Sequence, residues 1–267
     1  MMRVRRIHKV LTIAGSDSGA GAGIQADLKT FAALGVYGTS VITAVTAQNT
    51  RGVFETLVLP LDLVAAQIDA VAKDIGAHAV KTGMLANSAI IEVVAEKVRE
   101  HRLANLVVDP VLNATAGKAL LRGDAVKTLC DYLLPLAAVV TPNIPEAERL
   151  TGMRLHDLRS IKKAAERILA MGPRSVVIKG GHRRGPATDF FYDGKRFREI
   201  SARRIRTKNT HGTGCTFSAA IAANLASGME LENAVIQAKR YVTRAIQGSL
   251  DVGKGAGPLH HFYRFWK

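Results

Sequence analysis

The segment Lys208-Asn-Thr-His-Gly-Thr-Gly-Cys-Thr216 runs straight into the small-residue stretch Phe217-Ser-Ala-Ala-Ile-Ala-Ala-Asn-Leu225. This reads as a glycine-rich turn opening onto a helix, with a thiol in the helix's first turn. Gly212 and Gly214 let the backbone approach a ligand closely, and the free N–H groups around Thr213 point outward. A helix N-terminus carries roughly +0.5 of an elementary charge, so the turn is a ready anion site. The same field is expected to lower the pKa of Cys215 and to face its sulfur toward the anion. Phosphate held beside a potential base is the makeup of a phosphoryl-transfer site. The structural alternative is a plain helix cap followed by a cysteine acting as a small buried hydrophobe. The rest of the chain has to choose between them.

Other polar groups stand where strands should end. Asp109-Pro110 closes the apolar run Leu106-Val-Val, and an unpaired carboxylate buried there costs several kcal/mol, on the order of a lost ion pair. Asn143 and Glu146 follow the next strand within Thr141-Pro-Asn-Ile-Pro-Glu146. Hard oxygen ligands from neighbouring strand ends suit Mg²⁺, directly or through its waters, although Asn143 and Glu146 also fit a capping box. Lys179-Gly-Gly-His182 places an ammonium where it can reach phosphate, the alternative being a solvated strand-end lysine. His182 and His211 read as surface histidines. Gln48 carries an amide able to pair with an aminopyrimidine edge, as amides pair with adenine, although ordinary loop bonding explains it as well. The glycine-rich residues 15–23 only partly mimic a dinucleotide fingerprint. Flexible backbone around a small ligand is the preferred reading, beginning with Gly15.

The pattern of elements explains how these groups could meet. Apolar runs at 10–14, 40–44, 79–81, 106–109, 138–141 and 175–179 read as buried strands. Amphipathic runs at 24–34, 63–74, 89–101, 124–132, 145–151 and 161–171 read as helices, completed by 213–226 and 231–247. That alternation predicts a parallel sheet covered on both faces in one α/β domain spanning residues 1–267. Residues 188–192 and 196–200 around Asp193-Gly194 predict a tight hairpin, and 52–59 a second antiparallel piece. In such sheets ligands gather beyond the carboxyl ends of the strands, where all the groups above fall.

Composition narrows the class. Charged residues make up 22% and hydrophobic ones 48% of 267 residues, which suits a globular enzyme and excludes global disorder. The two cysteines, Cys130 and Cys215, cannot build a disulfide framework, and a reducing cytoplasm is expected. The basic start is followed by an apolar run too short for a signal core, and no stretch approaches the ~18 apolar residues of a membrane helix. The net charge of +15 attracts anions in general. Aromatics, at 5%, are not interleaved with the arginines, so a nucleic-acid role is not expected.

Taken together, the chain resembles the hydroxymethylpyrimidine and phosphomethylpyrimidine kinases of thiamin biosynthesis, within the ribokinase-like superfamily. The marks run over essentially the whole length: Ala14-Gly-Ser-Asp-Ser18 with Ala22-Gly-Ile-Gln-Ala-Asp27, Thr46-Ala-Gln-Asn-Thr50, Lys81-Thr-Gly-Met-Leu85, Asp109-Pro-Val111, Thr141–Glu146, Lys179–His182, Asn209–Cys215 and Gly255–Phe262. The resemblance implies an eight- or nine-stranded three-layer sandwich, a homodimer, and transfer of the ATP γ-phosphate to the hydroxymethylpyrimidine and then onto its monophosphate. It implies that Gln48 holds the aminopyrimidine edge, with Met84, Val111 and Gly15 around the ring. Cys215 takes the place of the ribokinases' catalytic aspartate, among the amides of Gly212, Thr213 and Gly214. Asp109 and Glu146 serve Mg²⁺ and ATP, with Asn143, Lys179 and Thr210 near the phosphates. Residues 112–117 match the family's flexible flap but carry Asn113 and Ala116, which depart from its pattern. No cysteine is present in the flap, whereas some relatives that phosphorylate pyridoxal have one there. Ala20 replaces a frequent glycine and is expected to be tolerated if its φ is negative. The alternatives kept open are a pyridoxal or pyridoxine kinase and a weakly catalytic pyrimidine-binding regulator.

Overall fold

The computed structural model describes residues 7–112, 123–181 and 185–266. One nine-stranded sheet runs through it in the order β3-β2-β1-β4-β5-β6-β7-β8-β9. Its strands are β1 (Lys9–Asp17), β2 (Tyr37–Asn49), β3 (Gly52–Val58), β4 (Ala79–Thr82), β5 (Leu106–Val108), β6 (Ala137–Val140), β7 (Val176–Ile178), β8 (Ala187–Tyr192) and β9 (Phe197–Ala202). The six from β2 to β7 in that order pair in parallel. The edges are antiparallel: β3 on β2, and the β8–β9 hairpin on β7.

Both faces of the sheet's centre are apolar because strands β5, β6 and β7 consist of buried apolar residues throughout. In β5, Leu106 and Val108 join one core and Val107 the other, and β7 splits Val176 and Ile178 from Val177 in the same way. Strand alternation therefore feeds two cores from one continuous apolar run. The first core is closed by α2 (Leu61–Ala70), α3 (Ser88–Glu100), α4 (Gly123–Thr128), α5 (Ile144–Thr151) and α6 (Leu158–Leu169). The second is closed by α1 (Gly23–Ala33), α7 (Thr213–Ala226) and α8 (Leu231–Gln247). Helix α7 is buried from Thr216 to Ala226. Its run of alanines lets α1, α8 and the sheet all pack closely against it, and all-round burial explains why the segment lacks amphipathic spacing.

The expected α/β sandwich is therefore found, with boundaries adjusted. The helices expected at 63–74 and 124–132 each end in a wider π turn, Val71–Ile75 and Leu129–Leu133. β2 is longer than its apolar centre suggested, and β5 and β7 stop just before Asp109 and Lys179. Asn113, Ala116 and His182 lie outside the described residues. Among the described residues, no helix is long and apolar enough to cross a membrane.

Candidate active site

A cavity of about 650 Å³ opens over the carboxyl ends of the strands. Every residue singled out above for the site lines it: Gly15 from β1, Gln48 from β2, Met84 after β4, Asp109 and Val111 after β5, Asn143 and Glu146 after β6, Lys179 after β7, and Thr210 with Gly212–Cys215 at the start of α7. No pair of these elements is adjacent in sequence, so the sheet topology alone brings them together.

The start of α7 is shaped by close backbone approach. Gly212 has φ +82°, and a Cβ there would overlap the carbonyl oxygen of Gly21. A side chain at Gly21 would in turn overlap His211. The N–H and hydroxyl of Thr213 are both spent on the Thr210 carbonyl, at 3.2 and 2.7 Å. The first-turn donors of Gly214 and Cys215 are left to meet an anion. Beneath them, a Cβ at Gly214 would stand only 3.2 Å from Lys179 Nζ, which places the ammonium against this end of the helix.

Lys179 and Asp109 form the floor. Lys179 Nζ donates to Asp109 Oδ1 at 2.8 Å, Thr141 donates to the same oxygen at 3.2 Å, and Ser218 donates to Oδ2 at 3.3 Å. Burial disfavours the Lys179 charge, but Asp109 and Glu146 more than offset it and raise its pKa. Asn143 caps α5 and Glu146 closes a capping box with it, by bonds of 2.9 and 2.7 Å. Burial pushes the Glu146 carboxyl up, and nearby Asp109 adds to the rise while Lys179 opposes it. The capping and ligand readings of this pair are thus compatible. Two buried carboxyls, one of them made harder to ionise by the other, with hard oxygens at a cavity, are a donor set that Mg²⁺ suits.

Cys215 departs from expectation. The residue is half-buried and lines the cavity, and its sulfur accepts the N–H of Gly23. Its pKa is nonetheless pushed up to about 11 rather than lowered. Burial dominates, and Asp27 and Asp109 add to it against the pull of Lys81. The helix field and one N–H bond do not overcome two carboxylates and lost water.

Below the cysteine lies a fully buried ion pair. Lys81 Nζ meets Asp27 Oδ2 at 2.8 Å, and Thr12 donates to the same oxygen at 2.6 Å. Burial opposes the Lys81 charge, yet Asp27, Cys215 and Asp109 hold it above the ordinary lysine range. Both residues sit in motifs noted above, but only the pairing of β1, α1 and β4 makes them partners.

The first loop is ordered rather than loose. Asp17 accepts the N–H groups of Gly19, Gly21 and Ala22 at 2.8, 3.1 and 2.8 Å, and His211 Nε2 lies 2.9 Å from its Oδ2. Burial alone would raise the Asp17 carboxyl, but these bonds, His211's first among them, hold it below the usual carboxylate range. His211 is therefore buried and bonded, not a surface histidine. Ala20 takes φ +59°, so the negative φ that would make it harmless is not what it adopts. Ala20→Gly should raise stability by up to ~1 kcal/mol in urea unfolding, because glycine relieves that strain. An unchanged or lower midpoint would show that the loop does not hold this conformation. Val111 is a sharper case: a β-branched residue at φ +40° beside the cavity.

Asp17, Lys81, Asp27, Ser218 and His211 were not assigned to the site from sequence. Ser218 lies three residues after Cys215 and so shares its helix face, and Asp17 heads a glycine turn of the kind that carboxylates hold together. Those two were open to discovery in the chain itself.

A nine-stranded, mostly parallel sheet whose strand ends share a cavity with a glycine-bounded helix start, a thiol and a lysine–carboxylate floor defines a kinase of the ribokinase-like group. The phosphomethylpyrimidine kinase family model matches residues 17–260, and the chain belongs to that family. It is 53% identical over 261 residues to the hydroxymethylpyrimidine/phosphomethylpyrimidine kinase of Rhizobium meliloti (strain 1021), covering 96% of this chain and 98% of the relative. The enzyme of the same name from Bacillus subtilis (strain 168) is 50% identical over 258 residues, covering 96% and 95%. Among solved structures, the ADP complex of Bacillus subtilis pyridoxal kinase aligns with a TM-score of 0.90 at 40% identity, covering 96% of this chain and 98% of that one. The phosphomethylpyrimidine kinase of Clostridium difficile 630 aligns with a TM-score of 0.81 at 46% identity, covering 90% and 99%.

Proposed function

We propose that this enzyme transfers the γ-phosphoryl group of ATP to the hydroxyl of 4-amino-5-hydroxymethyl-2-methylpyrimidine, and then a second one to the phosphate so formed, in thiamin biosynthesis. One observation carries the reading: the amide of Gln48, the thioether of Met84 and the anion-binding start of α7 line one cavity. The amide suits the aminopyrimidine edge, and Met84 packs over Gly15, where a Cβ would come within 2.5 Å of its methyl carbon. Gly214 and Cys215 N–H groups take up charge developing on the transferred phosphoryl oxygens, while Lys179 and Asn143, with Thr210, stand beside the ATP phosphates. Asp109 and Glu146 would hold Mg²⁺, which would supply charge neutralisation for those phosphates.

In the first transfer the hydroxyl oxygen forms the new P–O bond and gives its proton to the thiolate form of Cys215, the minor form at neutral pH. The ADP oxygen leaves with the electron pair of the broken bond. In the second, the attacking oxygen is already anionic and no base is needed.

The reading includes a homodimer in the cytoplasm. Edge strand β3 and its neighbour expose Leu57 beside its cross-strand partner Val45, with Phe54 and Val58 exposed along the same edge, apolar surface for a second copy to cover. The test is a product assay with ATP and, separately, the hydroxymethylpyrimidine, its monophosphate and pyridoxal. Mono- and diphosphate products from the first two are expected. Phosphorylation of pyridoxal alone would replace this reading by the pyridoxal kinase, and ligand binding without any product by the regulator.

A further inference from the structure

The polar atoms around Gln48 impose a proton count, and the count has one solution. Asp17 Oδ2 already accepts two backbone N–H groups, and its carboxyl is held ionised, so it can only accept from His211. His211 Nε2, 2.9 Å away, therefore carries a hydrogen. The same Nε2 lies 3.2 Å from one terminal atom of the Gln48 amide. A nitrogen there would set donor against donor, so that atom is the amide oxygen. The other end of the amide lies 3.2 Å from Thr46 Oγ1, whose single hydrogen is spent on the Ser16 carbonyl at 2.8 Å. Thr46 then has only a lone pair to offer, and the amide NH₂ is what it must meet.

One polarity fits throughout: the single His211 Nε2 hydrogen forks between Asp17 Oδ2 and the Gln48 oxygen, a Gln48 N–H meets Thr46 Oγ1, and the Thr46 O–H goes to the Ser16 carbonyl. In the opposite orientation the Thr46 hydrogen would have two acceptors to serve and the Gln48 NH₂ would face the His211 N–H, and it is this donor–donor contact that decides against it. The Gln48 amide thus has its oxygen fixed on the His211 side, with one lone pair and one N–H left for the cavity. His211 is not a relay between Asp17 and a substrate, because a single ring nitrogen makes both contacts.

We propose that Asp17 and His211, with Thr46 at the far end, are positioning residues that fix the orientation of the Gln48 amide. They thereby select a ring edge presenting an amino group beside an unprotonated ring nitrogen. The inference rests on the function proposed above. A hydroxypyridine such as pyridoxal has no such adjacent pair, and a freely rotating amide could adapt to it at little cost. A fixed one cannot, since its unmatched group stays desolvated.

The test compares wild type, His211→Phe, His211→Gln and Thr46→Val in initial-rate assays with the hydroxymethylpyrimidine and with pyridoxal. His211→Phe should raise KM for the pyrimidine by about 5- to 150-fold, the range of one bidentate pair, with kcat within about threefold. The pyrimidine-over-pyridoxal preference should fall by the same factor. His211→Gln, which returns an N–H near the position of Nε2, should recover most of it. Thr46→Val removes the other anchor without touching the histidine and should lower the preference too, so the idea can be judged even if His211→Phe does not fold. Unchanged preference in a folded His211→Phe or Thr46→Val, or a fall in kcat with KM unmoved, would overturn it. Failure of wild type to phosphorylate the pyrimidine at all would instead sink the proposed function.

Discussion

Replacing Cys215 by alanine should slow transfer to the hydroxymethyl group by ~10²–10⁴ while leaving transfer to the phosphate far less affected. The two acceptors differ by one proton, which an alcohol must give up as it attacks and a phosphate dianion need not. With its pKa at about 11, the thiol is neutral near pH 7. Its basic form then grows about tenfold for each pH unit across the neutral and mildly alkaline range. The first transfer in the native enzyme should therefore quicken steeply between about pH 7 and 9, and Cys215→Ala should flatten that rise. Single-turnover rates for both acceptors across this range make the comparison. Equal losses in the two steps, or an unaltered pH slope in the alanine variant, would remove Cys215 as the proton acceptor and leave it a cavity-lining side chain.

Lys81→Met should cost about 3–5 kcal/mol of stability, read by urea unfolding. The substitution leaves Asp27 fully buried with the Thr12 hydroxyl as its remaining partner, and Asp27 Oδ1 already lacks one. Its carboxyl, which burial pushes up and Lys81 pulls back, would then be driven to bind a proton. Pairing the change with Asp27→Leu should recover most of the loss, because two apolar side chains need no counter-charge. A single variant within 1 kcal/mol of the native protein, on the order of a surface ion pair, would mean the pair contributes little. The active site should respond too. Lys81 lowers the Cys215 pKa by more than Asp27 raises it, so its removal, even with Asp27 protonated, should shift the alkaline rise of the first transfer to still higher pH.

How legible the site was depends on the range of the interactions involved. The turn at Gly212–Cys215, the carboxylates after β5 and β6 and the lysine after β7 could be read from the chain because each announces itself locally. A glycine before a helix, a polar residue after an apolar run and an Asn-x-x-Glu spacing all carry their own physics. The sheet was legible for the same reason, since alternating apolar and amphipathic runs leave few arrangements open. What escaped needed the fold. His211 reads as a surface histidine until the chain brings Asp17, 194 positions away, to its ring. Asp27 and Lys81 are 54 positions apart and meet only through the β1–β4 pairing. The Cys215 thiol was misjudged because the helix field is visible in sequence, whereas the water excluded around it and the two carboxylates nearby are not. Ala20 adopts a conformation that its neighbours' bonds to Asp17 impose, which no propensity at that position would suggest.

The alanine-rich interior of α7 has a bearing on the chemistry that its blandness conceals. The helix has fourteen residues and spans about 21 Å from end to end. One tip lines the cavity while the shank is buried from Thr216 to Ala226. It behaves as a rigid rod whose working end is set by how deeply its far end is seated. An extra methyl group beside Ala222 or Ala223, both with essentially no exposed surface, would slide the rod along its axis, and the amide cradle would move with it. Under the proposed function, positions that resemble inert filler would thus act as the depth gauge of the phosphate-facing tip.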